Sequence, residues 1–430
     1  MPRISKELQE IKKVLSNVDV NFEVANTPKR TLKKLIIHLM DIEDVRCPGM
    51  VEYPLSEIIL LTFIATLAFC DTWKDITRFC NANIKFFKKF LKLKNGIPSH
   101  DTFQRVFGLI DPINFNKVVI DFFLDRLDAL KKVLKIKPKK DETEYTHIAV
   151  DGKELKGSGR LYKGSETIRN AQILNVYNNS KEVCIYSKAI DNKTNEIPVA
   201  RELLKEMNLN KTIVTFDALH TQKETIKIIT SKNGDYVGGL KANHEGLYND
   251  VSLFFTEEVK TNIENSKDYY ETIEKSHSQI ETRKYYLTTN VHWYHEINEW
   301  SKLTSFILYE KKVNKDGKET TEIRYYITSL NDIKLCAESI RGHWSVENNL
   351  HWQLDYAFRE DEQTTIDKVA LSNLSVLKKL SLALINLNRD LFKGDSIRTI
   401  RKCVGWATED SLNKLLLRVD EKFIKSLIKE

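Results

Sequence analysis

Residues 146–240 hold three successive strand-like segments and then alternating helix-like and strand-like segments. The predicted strands are Thr146–Val150, Gln172–Tyr177, Val183–Ala189, Ile213–Phe216 and Tyr236–Leu240, and the predicted helices are Pro198–Met207 and Gln222–Thr230. This order is that of a ribonuclease-H-like fold, in which the first and fourth strands lie side by side. We therefore predict an α/β protein with a ribonuclease-H-like catalytic core.

The remaining sequence divides into three further regions. Residues 1–140 are predicted to form a helical N-terminal DNA-binding domain that ends in a basic linker. The catalytic core would comprise 141–241 and 324–366, interrupted at 242–323 by an inserted β-rich subdomain with hairpin turns such as the one around Asn314–Gly317. Regularly spaced leucines after residue 367 predict a helical C-terminal region, 367–430.

Composition excludes several classes of protein. The hydrophobic fraction of 41% is typical of a folded globular chain, and the net charge of +7 favours a polyanionic partner. The six cysteines include no C-x-x-C pair, which argues against a zinc ribbon or a dithiol redox motif. The N-terminus lacks the apolar core of a signal peptide, and the apolar run Ile58–Cys70 is too short to span a membrane. We expect a cytoplasmic protein with no membrane partner.

Three carboxylates are placed where they could meet. Asp151 ends the first predicted strand, Asp217 ends the fourth, and Glu347 lies on a late helix. Carboxylate oxygens are ligands that Mg²⁺ prefers, and two such ions can activate water and neutralise a phosphoryl group. We therefore predict a two-metal site, with Asp151 bridging both ions and with Mn²⁺ able to replace Mg²⁺. Taken singly, an Asp at a strand end is more often a turn former.

The segment around Glu347 also carries imidazoles at a regular spacing. His343, Glu347, His351 and Asp355 recur every fourth residue, which on an α-helix places them along one face. A zinc or di-iron centre is the alternative, but the spacings that those metals need on helices are absent. We predict that His343 and His351 contact DNA or support the carboxylates. Trp344 is expected to pack in a core.

Basic and polar side chains supply candidate DNA contacts. Near the predicted carboxylates these are Lys153, Lys156, Arg160, His220, His343, Asn348 and His351. A flexible glycine turn is the alternative for the segment that follows Asp151. In the N-terminal region the candidates are Lys85, Lys88, Lys89 and Arg105. There, a helix followed by one capped at Ser99 or Asp101 is compatible with a helix-turn-helix or with an ordinary helical bundle.

Four strings at these residues resemble a known family. They are IAVDGKELKGS, VTFDALHTQ, DYVGGLKANH and IRGHWSVENNLHWQLDYAFREDE, and they are similar to motifs of DDE transposases of the H-repeat-associated insertion-sequence group. The N-terminal strings CPGMVEYPLSEIILLTFIATLAFCDTWKDITRFC and GIPSHDTFQRVF resemble that group's helical domain. The similarity spans roughly residues 35–400.

The resemblance implies an activity and its partners. It implies a DNA transposase with Asp151, Asp217 and Glu347 as catalytic triad and Mg²⁺ as cofactor. Double-stranded DNA, namely terminal inverted repeats and target DNA, would be the substrate of a homodimer or larger assembly. Such a protein would be bacterial or archaeal and nucleoid-associated.

The sequence departs from many related transposases around Glu347. Where those proteins place Tyr, Arg and Lys, this sequence has Ile340, His343 and Leu354. A ribonuclease-H-like nuclease without strand transfer and an inactive DNA-binding remnant are the alternative functions.

Overall fold

The computed structural model describes residues 27–133, 145–161, 167–190, 195–276 and 279–417. The predicted N-terminal arm up to residue 26, most of the basic linker and the tail 418–430 lie outside the described residues. The strands are β1 Thr146–Leu155, β2 Arg160–Leu161, β3 Thr167–Ile168, β4 Ala171–Asn178, β5 Val183–Ile190, β6 Thr212–Phe216, β7 Asp235–Leu240, β8 Tyr269–Ser276, β9 Gln279–Thr288, β10 Ser305–Lys315 and β11 Lys318–Thr328.

Helices surround these strands and form both ends of the described chain. They are α1 Thr27–Leu39, α2 Leu55–Leu67, α3 Trp73–Ala82, α4 Ile84–Phe87, α5 His100–Phe107, α6 Pro112–Val133, α7 Glu196–Glu206, α8 Lys223–Ser231, α9 Glu245–Phe254, α10 Glu257–Glu264, α11 Ile333–Ser345, α12 Trp352–Phe358, α13 Lys368–Asn388, α14 Ile397–Trp406 and α15 Thr408–Leu417. A π-helical turn, Val346–His351, joins α11 to α12.

Nine of the strands form one sheet in the order β5-β4-β1-β6-β7-β11-β10-β9-β8. Strand β1 is antiparallel to β4 and parallel to β6, and β6 is parallel to β7. The five strands from β5 to β7 therefore have the order and directions that the sequence predicts, with the first and fourth large strands as neighbours. Helices α7 and α8 supply the crossover connections that parallel strands require.

The segment 242–323 is the one for which we predicted an inserted β-rich subdomain. Its strands exist, and the hairpin between β10 and β11 turns at Asp316 and Gly317, both with positive φ (52° and 78°). However, β11 pairs antiparallel with β7, so these strands extend the core sheet instead of forming a separate one. The physical reason is that β7 would otherwise be an edge with unpaired backbone groups. The exact domain boundaries stay a prediction.

Strand β1 is longer than predicted, which changes the position of Asp151. The strand continues to Leu155, so Asp151 lies within it and not at its end. The parallel pairing with β6 stops at Val150, opposite Phe216, whereas the pairing with β4 continues to Leu155. Asp151 is therefore the first residue of β1 beyond β6, with a gap beside it that other elements can enter.

The N-terminal and C-terminal helices share one hydrophobic core. Helix α13 lies at its centre, and buried side chains from α1 to α6 and from α14 and α15 belong to the same cluster. By length and composition the segment Lys368–Phe392 could cross a membrane, but 89% of its apolar window is buried inside the protein. Helix α5 has the predicted cap, since the Ser99 side chain accepts a hydrogen bond from the Thr102 backbone N–H.

Candidate active site

Asp151, Asp217 and Glu347 line one cavity of about 310 Å³, which we call the carboxylate cavity. Asp151 comes from β1, Asp217 directly follows β6, and Glu347 lies in the π-helical turn. Val150 of β1 pairs with Phe216 of β6. The residues that follow them, Asp151 and Asp217, therefore lie next to each other at the point where this pairing ends. Lys241 and Arg324 line the same cavity and face it with positive charge.

Local hydrogen bonds fix the two aspartates. One carboxylate oxygen of Asp217 accepts hydrogen bonds from the backbone N–H groups of Leu219 and His220, at 3.0 and 3.2 Å. This arrangement is an Asx turn, which holds the side chain at the start of the loop after β6. One oxygen of Asp151 accepts a hydrogen bond from the backbone N–H of Gly152 at 3.0 Å. Both side chains are therefore oriented by their own backbone.

The π-helical turn sets the direction of Glu347. Trp352 donates its backbone N–H to the carbonyl of Glu347, a hydrogen bond that spans five residues in place of four. The residue one turn beyond Glu347 is therefore Trp352, so the π-helical turn interrupts the regular α-helical spacing on which the prediction of a common face was based. The extra residue in the turn leaves Glu347 exposed at the cavity and directs His351 toward β1.

His351 supports Asp151. Its Nδ1 lies 3.5 Å from a carboxylate oxygen of Asp151, and its Nε2 lies 3.0 Å from the side-chain amide nitrogen of Asn175. Because the amide nitrogen of Asn175 donates to Nε2, the imidazole proton is on Nδ1, facing Asp151. Burial lowers the pKa of His351 to about 3, so the ring is neutral. This position suits the supporting role, one of the two alternatives that we predicted for His351, and that role stays a prediction.

Burial and the neighbouring carboxylates disfavour the ionisation of Asp151 and Glu347. Burial raises the pKa of Asp151 from 3.8 to about 7, and the negative charges of Asp217 and Glu347 add to the effect. The pKa of Glu347 is also raised, chiefly by burial, although Arg324 and Lys241 oppose the rise. A cation in the cavity would relieve this cost. Within the described ranges, however, three His, Cys, Asp or Glu side chains nowhere gather closely enough to hold one ion together.

Lys153 does not lie on a DNA-accessible surface, contrary to our prediction. It is buried in β1, with its ammonium 2.5 Å from the Asp355 carboxylate and 2.8 Å from that of Glu360. Because the Lys153 ammonium and these carboxylates are close together and away from water, they interact with each other in preference to a distant phosphate. The glycine loop predicted after Asp151 is absent at this point because the strand continues.

His220 and His343 are also turned inward. His220 is 1% exposed, and its Nε2 lies 3.2 Å from a carboxylate oxygen of Glu196. His343 lines the cavity, its Nδ1 lies 3.2 Å from the Thr215 hydroxyl, and burial lowers its pKa to about 4. The neutral His343 ring supplies no charge for a phosphate, and the His220 ring is buried against Glu196, so we infer a positioning role for both rings.

The other predicted contacts near the cavity differ in exposure. The Lys156 side chain is 78% exposed, with its ammonium 3.6 Å from the Asp361 carboxylate. Asn348 is exposed beside Glu347 in the π-helical turn. The backbone of Arg160 belongs to β2, but its side chain lies outside the described part of the protein. Their contact with DNA stays a prediction.

The N-terminal candidates lie on the helical region, away from the cavity lining. Lys85, Lys88, Lys89 and Arg105 are all exposed, and Lys89 forms an ion pair of 2.6 Å with Glu409. Helices α3 and α5 are in the same core but are separated by residues 83–99 and by α4. This connection is longer than the three or four residues of a helix-turn-helix, so the bundle interpretation fits better.

Three charged residues near the cavity were missed at the sequence level. Arg324 lies in the middle of β11, and Lys241 directly follows β7 within the string DYVGGLKANH, but neither was named as a candidate site residue. Glu196 approaches Gly152 so closely that a Cβ at that glycine would lie 2.3 Å from its carboxylate. For Glu196 the available signal was the glycine after Asp151, which indicates close packing and not a flexible turn.

Comparison with known proteins supports a family assignment. A family model described as "Transposase DDE domain" matches residues 142–384, and "DDE_Tnp_1-associated" matches residues 36–123. A putative transposase YncI of Escherichia coli O157:H7 is 30% identical over 369 residues, covering 85% of this chain and 90% of that protein. An H repeat-associated putative transposase YhhI of Escherichia coli (strain K12) is 30% identical over 377 residues, covering 86% and 95%.

A solved structure is also similar. It is a piggyBac transposase synaptic complex with hairpin DNA, with a TM-score of 0.35 and 12% identity, covering 100% of this chain and 83% of that chain. The family model and the two relatives carry the assignment. The chain belongs to the DDE transposase family, in its H-repeat-associated group.

Proposed function

We propose that this protein is a DNA transposase that cleaves DNA at the inverted-repeat ends of its element and joins them to target DNA. The observation that carries the proposal is the meeting of Asp151, Asp217 and Glu347 in one cavity, from two strands and a distant helical turn. Family membership supports the same reading. In this reaction water attacks a phosphodiester at the end of the element and breaks its P–O3′ bond. The released 3′-OH then attacks a target phosphodiester and displaces the 3′ oxygen of the target strand.

The donor set suits divalent metal ions. Mg²⁺, or Mn²⁺ in its place, would be held by Asp151 with Asp217 and by Asp151 with Glu347. Mg²⁺ usually takes one or two carboxylates and completes its shell with water and substrate phosphates, so no cage of three protein ligands is needed. When bound, the ions activate the attacking oxygen and neutralise charge on the leaving oxygen. The raised pKa of Asp151 is the physical sign of a site that favours a cation.

The chain's own residues would position the DNA and the carboxylates. His351 and Asn175 orient Asp151, while the Asx turn orients Asp217. Lys241 and Arg324 face the cavity and would neutralise a phosphate that enters it. Arg324 also lies over the Trp344 ring, 4.4 Å from its centroid, which limits its movement.

The partner would be double-stranded DNA, held by a homodimer or larger assembly. Exposed Lys85, Lys88 and Arg105 would follow the phosphate backbone outside the cavity, and Lys156 and Asn348 would contact it nearby. Such contacts weaken steeply as salt rises, whereas contacts inside the cavity do so less.

A cleavage assay tests the proposal. The substrate is DNA that flanks the coding sequence on both sides, including any inverted repeats, incubated with protein and Mg²⁺. Asp151→Asn, Asp217→Asn and Glu347→Gln should each lower cleavage by at least about 1,000-fold, in line with losses on removing catalytic groups. Excess EDTA should abolish cleavage by the unsubstituted protein. Retained cleavage in all three variants would contradict the assignment.

Strand transfer separates the transposase from its alternatives. The same reaction with a supercoiled plasmid as target should yield joined products. Cleavage without joining would indicate a ribonuclease-H-like nuclease. DNA binding without Mn²⁺ binding or cleavage would indicate an inactive remnant.

A further inference from the structure

The π-helical turn aligns two exposed aromatic side chains with Glu347. Trp352 lies one turn beyond Glu347, as the hydrogen bond from its N–H to the Glu347 carbonyl shows. Tyr356 follows Trp352 by four residues in α12 and therefore lies on the same face. Trp352 is 54% exposed and Tyr356 is 47% exposed. The two aromatic residues thus begin one helical turn along the chain from the candidate catalytic glutamate.

The two rings are already arranged as a stack. Their centroids are 5.0 Å apart and their planes differ by 5°. The rings leave substantial surface open to solvent, although burial of such a ring would stabilise the fold. Leaving them exposed therefore costs stability, and a ligand that stacks on them would recover it.

Positive charge borders the stacked rings. The Arg398 guanidinium lies 5.7 Å from the Tyr356 centroid and 5.6 Å from that of Phe69, and Lys402 lies 5.8 Å from Phe69. The nearby Glu362 carboxylate accepts a hydrogen bond from Arg359 at 2.8 Å. In the part of the chain that the structure describes, no carboxylate lies within ion-pair distance of Arg398, and its Nε has no hydrogen-bond partner.

We propose that Trp352 and Tyr356, with Arg398 beside them, bind unpaired bases of the DNA strand whose phosphate occupies the carboxylate cavity. The inference rests on the proposed function and adds a substrate feature to it: the DNA end is locally single-stranded at the site. Exposed aromatic rings next to cations are how proteins hold single strands, because every base has a π-face and every nucleotide a phosphate. Bases inside a duplex are stacked on one another and cannot stack on the rings.

A second copy of this chain is the other occupant that such rings would suit, since interfaces are rich in Trp, Tyr and Arg. Continuity with the cavity favours DNA, because the rings start one turn from Glu347. The cations also favour DNA, because a strand of DNA carries the complementary charge along its whole length. The oligomeric state is therefore measured alongside DNA binding.

Binding of single-stranded DNA without catalysis tests the proposal. The probe is a fluorescein-labelled dT12 oligonucleotide, compared with a 12-bp duplex, both in EDTA so that no cleavage contributes. Trp352→Ala and Tyr356→Ala together should weaken dT12 binding by roughly 10- to 100-fold in fluorescence anisotropy, as expected for lost base stacking. Duplex binding should change less than about twofold because phosphate contacts dominate it.

Matched variants make the result specific. Trp352→Phe and Tyr356→Phe keep an aromatic face and should retain most dT12 affinity. Trp406→Ala removes a ring that is 78% exposed at the far end of α14 and should have no effect. Unchanged dT12 binding in the double alanine variant would overturn the proposal. Loss of a dimer by light scattering, with DNA binding intact, would overturn it in favour of a second copy.

The proposed function and this inference are contradicted by different experimental results. Glu347→Gln should abolish cleavage and leave dT12 binding within about twofold, since the rings and Arg398 are unchanged. Cleavage that persists in Glu347→Gln would refute the catalytic assignment without bearing on the stacked rings.

Discussion

Burial, neighbouring charges and backbone position all act on the carboxyl group of Asp151. It lies at the first position of β1 beyond β6, between two other carboxylates, and its imidazole partner His351 is neutral. A carboxyl group in such surroundings is costly to ionise without a cation. The folded protein therefore carries an energetic penalty at this residue, which is expected of a functional site and not of a structural one.

This penalty predicts a pH-dependent stability. Because the folded pKa of about 7 lies above the ordinary 3.8, the metal-free protein should lose stability as the pH rises from about 4 to 7. Asp151→Asn should raise the free energy of unfolding at pH 8 by about 2 kcal/mol, since each pKa unit is worth about 1.4 kcal/mol and neighbours share the shift. Urea unfolding in EDTA at pH 5 and pH 8 measures this.

A matched control removes one carboxylate elsewhere. Asp316 is exposed in the β10–β11 turn with a φ of 52°, a conformation that Asn also adopts readily. Asp316→Asn should leave stability unchanged at both pH values. An equal effect of the two substitutions would contradict the account of Asp151.

Lys153 should act on stability, unlike a surface contact to DNA. Its ammonium lies between Asp355 and Glu360, and although burial alone would raise the pKa of Glu360, the ammonium groups of Lys153, Lys379 and Lys378 hold it below its ordinary value. Lys153→Met should lower the free energy of unfolding by about 3–5 kcal/mol, the usual cost of breaking a buried pair.

The comparison for this prediction is Lys156→Ala, three residues further along. That side chain is 78% exposed, so its removal should change stability by less than about 0.5 kcal/mol. Thermal unfolding of both variants at pH 7 distinguishes the roles. Similar melting temperatures for the two variants would mean that Lys153 is not structurally paired.

At the scale of elements, the π-helical turn determines which side chain lies one turn beyond Glu347 in the helical segment after β11, and which side chain faces Asp151. A regular α-helix would place His351 one turn beyond Glu347, whereas the π-helical turn places Trp352 there and frees His351 to face Asp151. Such turns are frequent at functional sites because they change the side-chain directions without breaking the helix.

Shortening this turn by one residue tests its role. Deletion of Asn349 should allow α11 and α12 to continue as one regular helix and rotate Glu347 away from the cavity. We expect cleavage to fall by at least about 100-fold, because misplacement by an ångström has costs of that order. Asn349→Ala keeps the residue count and should retain most activity. Equal cleavage by both variants would show that the turn is dispensable.

The sequence predicted the core strands well because alternating and apolar runs bounded by turns leave few alternatives. It placed Asp217 directly after its strand for the same reason, whereas Asp151 was predicted at the end of β1 and lies within it. It could not predict the π-helical turn, since a four-residue spacing reads as an α-helix whether or not one extra residue is inserted. The burial of Lys153 was also hidden, because its partners Asp355 and Glu360 are about 200 residues away.

At the scale of the whole molecule, the helical ends fold together. The Arg401 guanidinium is completely buried, lies 2.7 Å from the Asp71 carboxylate, and donates to the carbonyl of Thr66. It thereby joins α14 to the region after α2 inside the shared core. The two terminal regions therefore share a single hydrophobic core. Their positions at opposite ends of the sequence could not reveal this.

This shared core predicts a single unfolding transition. Arg401→Met should lower the free energy of unfolding by about 3–5 kcal/mol, because it leaves Asp71 buried without its partner. The accompanying change Asp71→Asn should restore part of the loss. Differential scanning calorimetry should show one transition that shifts as a whole. Two transitions, of which only one moves, would mean that the terminal regions fold independently.

The proposed activity requires three carboxylates that act together on metal ions. Electron paramagnetic resonance can count Mn²⁺ bound to the full-length protein on a DNA duplex. We predict two bound ions per chain, and the loss of at least one in each of Asp151→Asn, Asp217→Asn and Glu347→Gln. Wild-type binding of Mn²⁺ by all three variants would contradict the proposed role of these carboxylates.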